Sequence, residues 1–199
     1  MTIPALILAA GKGSRMGSPK ALMRFGRSAW WRVQQARLAL AQVHPIWIVS
    51  EAVAHEMHTD SPFDRVIASS EAPMFASILA GLDSLNVSDF TGVFILPIDV
   101  PASVDPALWT RLSGAPRPAV PAFQGRHGHP LFLPRMWITS VLEPAKAAAA
   151  APRSLRLDTL VRPSLIALPV TDPCVVCNLN TPDDLRRFLA ESPASDPNA

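Results

Sequence analysis

Apolar runs and helical faces alternate through the first half of the chain. Ile3–Ala9 is nearly continuous hydrocarbon, the pattern of a strand buried on both faces. After a polar, Gly-containing stretch, Ser28 is placed to cap a helix running through Trp30, Val33, Ala36, Leu40 and Val43. Pro45–Ser50 reads as a second strand and Arg65–Ala68 as a short third. Apolar residues at 74, 75, 78, 79, 82 and 85 trace one helical face, and Gly92–Pro97 is another uninterrupted apolar run. Strand, helix, strand, helix, strand in that order predicts an α/β fold. Its form is a single three-layer α/β/α domain around an open, mostly parallel sheet.

Beyond Asp99 the periodicity loosens. Pro101–Gly114 reads as a connecting helix, Pro118–Phe123 as a strand, Gly125–Pro130 as a loop and Pro134–Leu142 as a short helix. Lys146–Ala151 suits either a weak helix or a mobile loop. Leu155–Val161 reads as a helix, and Leu165–Val170 and Val175–Leu179 as late strands. Thr181-Pro182-Asp183-Asp184 combines a cap, a proline at the first helical position and two acids beside the positive dipole end, so a last helix runs to about Glu191. Residues 1–191 are read as the domain and 192–199 as a disordered tail.

Composition narrows the function classes. With 49% hydrophobic and 17% charged residues, the chain has the makings of a buried core. Net charge is +2 with no basic stripe, which argues against a nucleic-acid partner. No apolar segment reaches the roughly 20 residues that span a bilayer, and Met-Thr-Ile-Pro lacks the charged start of a signal peptide, so a cytoplasmic protein with no membrane partner is expected. Cys174 and Cys177 are read as structural thiols on opposite faces of a strand, since zinc would need further ligands nearby. His55-x-x-His58 reads as a solvated helix face.

The first strand runs directly into Leu8-Ala-Ala-Gly-Lys-Gly-Ser-Arg-Met-Gly-Ser-Pro-Lys20. The chain has three lysines against fifteen arginines, and two of the three, Lys12 and Lys20, lie in this loop. Backbone N–H groups and compact cations at a strand end are what a polyphosphate needs. Neither common Gly-rich motif fits: Gly17-Ser18-Pro19-Lys20 is not a P-loop, and Met16 stands where the Rossmann fingerprint wants its third glycine.

The whole stretch resembles the nucleotidyltransferase signature Leu-Ala-Ala-Gly-x-Gly-x-Arg-Met-Gly-x-Pro-Lys. The chain is similar to the compact branch with a MobA-like NTP transferase domain, and within it to molybdenum cofactor cytidylyltransferases. The resemblance implies a Rossmann-like sheet of the nucleotide-diphospho-sugar transferase type. It also implies transfer of a nucleoside monophosphate from an NTP, CTP by preference, to a phosphorylated acceptor of molybdopterin type, releasing pyrophosphate. By resemblance, Leu8, Ala9, Ala10 and Gly11 hold base and ribose, and Gly13, Ser14, Arg15 and Met16 wrap the β- and γ-phosphates. Lys20 reaches the α-phosphate. Asp99 matches the Mg²⁺ ligand, and Asn178 or Asn180, of which Asn180 is preferred, the second metal contact. Arg15, Lys20 and Asp99 are thus the catalytic set. Ser77 matches the polar group of a nucleotide-binding helix.

Gly125-Arg126-His127-Gly128-His129-Pro130 resembles the Gly-x-x-Gly-His-Pro segment lining the acceptor pocket, which nominates Arg126, His127, Gly128 and His129. The chain departs from the family at Glu71-Ala72-Pro73, where relatives carry glycine, and lacks a later Gly-Ala-Arg; Arg153, Arg156 and Asp158 lie there instead. Ala10 and Pro19 differ from the Gly and Asp usual in guanylyl relatives. The alternatives are a guanylyltransferase, a transferase for sugar or alcohol phosphates, and a non-catalytic nucleotide-binding maturation protein. An apo-enzyme receiving the product is a further partner the resemblance allows.

Overall fold

In the computed structural model, which describes residues 3–13, 17–25, 27–57, 63–86, 89–148 and 155–191, the run Pro4–Ala9 forms a fully buried strand, β1. Its residues divide between two cores: Ala5, Ile7 and Ala9 face one side of the sheet and Leu6 and Leu8 the other. Period-two geometry with apolar surroundings on both sides explains why the run shows no polar alternation. Two short strands, β2 (Arg24–Phe25) and β3 (Ser28–Ala29), form a separate ribbon. The main sheet continues with β4 (His44–Val49), β5 (Arg65–Ile67), β6 (Gly92–Pro97), β7 (Ala119–Phe123), β8 (Arg126–His127), β9 (Leu131–Pro134) and β10 (Ile166–Pro169). Its order is β10-β7-β9-β6-β1-β4-β5, with β8 paired to β7. Pairing is parallel except where β9 meets β6 and β7, and where β8 meets β7.

Helices cover both faces. Buried residues of α1 (Trp30–Leu40), α2 (Glu51–Glu56), α4 (Pro106–Ser113) and α8 (Pro182–Glu191) join the core on the Ala5 side. Those of α3 (Met74–Asp83), the segment α5 (Arg135–Trp137) and α7 (Leu157–Val161) join the core on the Leu6 side. A π-helical turn, Ile138–Leu142, links α5 to α6 (Glu143–Ala148). The expected three-layer arrangement is therefore present.

Four local expectations are corrected. Ser28 does not cap α1: it is buried in β3, and the Trp30 N–H donates instead to the Met23 carbonyl at 2.8 Å. Val43 lies beyond the end of α1 at Leu40. Val175–Leu179 is not a strand; Pro173–Val176 is a 3₁₀ turn, because Asp172 accepts from the Cys174 N–H at 2.8 Å and Pro173 starts the turn. Gly125–Pro130 is only partly loop, since Gln124 and Gly125, both at positive φ, make a two-residue hairpin into β8. Elements with no counterpart in the sequence reading include the ribbon strands β2 and β3, the helix α2 and the antiparallel strand β9. Ser14, Arg15, Met16, His58, Arg153 and the segment 192–199 lie outside the described residues, as does the end of Lys146–Ala151 beyond Ala148.

Candidate active site

The chain reverses its direction of travel across the sheet at β1. From β1 it moves to β4 and β5 on one side, then returns to lay β6 against the opposite edge of β1. A crevice opens beyond the carboxyl ends of strands at such a switch point. A cleft of about 270 Å³ lies there. Leu8, Ala10, Gly11 and Gly13 line it from the first strand and its loop, Pro97 and Asp99 from the end of β6, Ser77 from α3, and Lys20 from the segment after the loop. Ala9 faces the core beneath. Gly13 has φ +63° and a Cβ there would overlap the Ser18 carbonyl, so the loop closes back on itself only with glycine. Lys12 pairs with Glu71 across exposed surface.

Three predicted residues meet at one point. Lys20 Nζ donates to Asp99 Oδ2 at 2.8 Å and to Asn180 Oδ1 at 2.9 Å. The backbone explains how residues so far apart in sequence converge: the Leu179 N–H donates to the Asp99 carbonyl at 2.8 Å, which docks the start of α8 against the end of β6. A reciprocal cap then fixes that start. Thr181 Oγ1 accepts from the Asp184 N–H at 3.1 Å, and Asp184 Oδ2 accepts from the N–H groups of Asn180 and Thr181. Two hard oxygens converging on one cation form a donor set that suits magnesium or manganese, which take few protein ligands and complete their shell with phosphates and water. Among the described residues no cluster of three His, Cys, Asp or Glu side chains offers a rival metal cage.

The segment carrying Asp99 is clasped from below by α1. Trp30 Nε1 donates to the Ile98 carbonyl at 2.6 Å, Gln34 Nε2 to the Val100 carbonyl at 2.7 Å and Arg37 Nε to the Ala102 carbonyl at 2.7 Å. Gln34 Oε1 also accepts from the Ala102 N–H at 2.9 Å. Residues 30, 34 and 37 share one helical face, so three side chains meet alternate carbonyls of an extended strand end. The sequence reading treats this face as apolar and misses Gln34 and Arg37, both buried. The signal is present in hindsight: Gln34 and Arg37 fall on the helical stripe that otherwise holds Trp30 and Val33.

A second, larger chamber of about 660 Å³ adjoins the cleft, and His127, Gly128 and His129 line it. Arg126 is exposed on β8 and is not among the lining residues. Gly128 is needed for packing, because a Cβ would strike the Val175 carbonyl, which also accepts from the His129 N–H at 2.8 Å. Burial of the His129 ring lowers its pKa to about 4, against the raising influence of Asp99, so the imidazole is neutral at pH 7. Cys174 sits in the 3₁₀ turn and Cys177 closes it, its N–H donating to the Cys174 carbonyl at 3.0 Å, so the pair flanks a turn and does not sit on opposite faces of a strand. Both thiols are free and half-buried. Burial, then Asp172, pushes Cys174 up to about 12, and burial also raises Cys177. No helix among the described residues is long and apolar enough to cross a membrane.

A family model described as MobA-like NTP transferase domain matches residues 5–161. Among solved structures, Rv0371c from Mycobacterium tuberculosis H37Rv superposes with a TM-score of 0.72 at 23% identity, over 96% of this chain and 99% of that one. The same protein in complex with manganese gives 0.68 at 23% identity, over 96% and 100%. A nucleotidyl transferase from Methanothermobacter thermautotrophicus gives 0.71 at 20% identity, over 98% and 99%. The 2-C-methyl-D-erythritol 4-phosphate cytidylyltransferase from Thermus thermophilus gives 0.65 at 17% identity, over 98% and 100%. At these identities the structural likeness establishes the fold. No curated protein matches the sequence.

Proposed function

The chain belongs to the MobA-like NTP transferase domain family, a nucleotidyltransferase family, and from that premise we propose that it is a magnesium-dependent cytidylyltransferase acting on a phosphorylated acceptor of molybdopterin type. The observation that carries the reading is the convergence of Lys20, Asp99 and Asn180 at the mouth of a cleft whose other wall is the Gly-rich loop.

Both reactants are anions, so the chain's work is alignment and charge neutralisation. Leu8, Ala10 and Gly11 hold base and ribose, with Ala9 fixing their strand from the core side. The amides around Gly13, with Ser14, Arg15 and Met16 beyond the described residues, take the β- and γ-phosphates. Lys20 stabilises charge growing on the α-phosphoryl oxygens. Asp99 and Asn180 hold the metal, which supplies Lewis-acid neutralisation of the phosphates when bound; the manganese complex of the M. tuberculosis protein is consistent with such a site in this fold. No side-chain nucleophile is required, since a phosphate monoester is largely ionised near neutral pH. His127, Gly128 and His129 belong to the acceptor side. Arg126, outside the chamber lining, has the weakest claim of that group.

Ala10 and Pro19 favour cytidine over guanine. The test is a pyrophosphate-release assay with CTP, GTP, ATP and UTP, each with magnesium and with or without metal-bound molybdopterin. CTP turnover that requires the acceptor is expected. Preference for another base, or release independent of that acceptor, overturns the assignment.

A further inference from the structure

One ion pair at the cleft plays no part in the transfer step. Lys12 Nζ, in the Gly-rich loop, pairs with Glu71 Oε1, in the segment between β5 and α3. Gly11 and Gly13 on either side of the lysine line the cleft, and so do Ser70 and Ala72 on either side of the glutamate. Neither charged residue is itself among the lining residues. The pair therefore joins one wall to the other across the rim.

Local bonds hold the two backbones in place. The Glu71 N–H donates to Ser69 Oγ at 3.2 Å and the Ala72 N–H to the Ser69 carbonyl at 3.2 Å, so residues 69–72 form a turn. That turn is tied to the sheet at its start, where the Ala68 N–H donates to the Val49 carbonyl at 2.8 Å. On the other wall, Gly13 at φ +63° closes the loop against Ser18. Fixed backbones thus present an ammonium and a carboxylate to each other, and the side chains are what can part.

They part readily. The lysine and glutamate side chains are 58% and 71% exposed, and a solvated pair of this kind contributes little. Lysine carries a compact charge on a flexible stem, which lets its ammonium exchange one anion for another. Lys20 is held in the same manner, by Asp99 and Asn180. Both lysines of the loop are thus engaged from within before any anion enters. The two carboxylates then differ: Asp99 turns to the metal on the transfer reading, whereas Glu71 goes back to water.

From this placement we infer that Glu71 is an internal competitor of the polyphosphate for Lys12, its ion pair opening as a triphosphate enters and closing again as pyrophosphate leaves. The inference rests on the nucleotidyl-transfer reading and adds to it a residue that sets how tightly the polyphosphate is held. Lys12 stands next to Gly13, whose surroundings serve the β- and γ-phosphates on that reading. The competition therefore concerns the pyrophosphate part of the ligand and not the nucleoside monophosphate.

The experiment is calorimetric titration of the full chain and of Glu71→Gln, Lys12→Gln and the double variant. It is run at about 0.15 M salt, where charges more than roughly 8 Å apart are largely screened. The probes, each with magnesium, are the four nucleoside triphosphates, the monophosphate of the base that binds most tightly, and pyrophosphate. Glu71→Gln is expected to tighten triphosphate and pyrophosphate about two- to fivefold, the range an exposed ion pair is worth, and to move the monophosphate less than about 1.5-fold. In the Lys12→Gln background the same change should give less than about 1.5-fold for every probe, because the carboxylate then has nothing to compete for. Unchanged or weaker triphosphate binding in Glu71→Gln, a gain absent for pyrophosphate, an equal gain for the monophosphate, or an equal gain without Lys12 overturns the inference. Triphosphate uptake by the unaltered chain keeps the transfer reading in each of those cases. Absence of uptake for every base overturns that reading and the inference with it.

Discussion

On the proposed reading Lys20 serves two sets of partners at different times. Without a divalent ion its ammonium bridges Asp99 and Asn180, keeping two oxygen donors from repelling across an empty gap. In the proposed reaction the same ammonium would follow charge onto the α-phosphate. Lys20→Ala should therefore lower kcat by roughly 10²–10³, the usual cost of one electrostatic stabiliser. Asp99→Ala should abolish metal-dependent turnover with the fold intact by circular dichroism. Steady-state kinetics across a magnesium series separates the two, because the lysine variant keeps its metal dependence. His129 gives a pH prediction. Its pKa is about 4 when folded and near its ordinary 6.5 when unfolded. Between those values the unfolded chain takes up a proton that the folded one refuses, so stability falls as pH drops from about 6.5 to about 4. The loss amounts to about 3 kcal/mol at the acid end. Urea unfolding at pH 7 and 4.5 should show it, and His129→Gln should flatten the slope. That Gly11, Gly13, Lys20 and Asp99 line one cleft follows positions the sequence singles out, because glycine, lysine and a strand-end acid each have few other reasons to occur together. Arg126 lies outside the chamber lining, because its neighbour Gly125 serves a hairpin turn.

At the scale of elements, the clasp between α1 and the end of β6 matters most to the site. Gln34 is fully buried and makes both a donor and an acceptor bond to strand-end backbone. Gln34→Leu keeps the volume and strands the Val100 carbonyl and the Ala102 N–H, each costing about 1–3 kcal/mol when buried without a partner. A loss of about 2–4 kcal/mol in chemical denaturation is expected, a large share of what holds a domain folded. A loss below about 1 kcal/mol would mean that Trp30, Arg37 and Leu179 hold the strand end without the glutamine. Such a clasp is hard to read from a sequence, since a polar residue on an apolar face looks like an interruption until its partner is known. The same limit explains the element errors. Strands β1, β4 and β6 announce themselves by unbroken hydrocarbon. Leu131–Pro134 is just as apolar, but it is short and sits between prolines, which hides it. Val175–Leu179 has strand composition, yet the local cap from Asp172 to Cys174 outweighs propensity.

For the whole molecule, the more legible half runs from β1 through β6, where the strands of the main sheet all pair in parallel. The late strands enter at the far edge with β9 reversed, an arrangement set by contacts distant in sequence. The same long-range assembly completes the site, because Asn180 reaches Asp99 only after the chain has built that edge and returned under the sheet. Ligand binding should therefore be felt by the entire fold. On the proposed reading a triphosphate with magnesium would join the loop after β1, the end of β6 and the start of α8, three segments that unfolding would separate. At one hundred times its Kd such a ligand adds about 2.7 kcal/mol. In a chain of this length each kcal/mol moves Tm by about 2–4 °C, so a rise of roughly 5–11 °C is expected. Magnesium alone should do little, because it must displace the Lys20 ammonium from Asp99 and Asn180 without a phosphate to receive that charge. In Asp99→Ala the nucleotide should retain only the magnesium-independent part of its shift. Scanning calorimetry on the four combinations of nucleotide and metal checks the argument: a full shift from magnesium alone would mean that the ammonium does not guard the site, and an unchanged shift in Asp99→Ala would remove that carboxylate from metal binding.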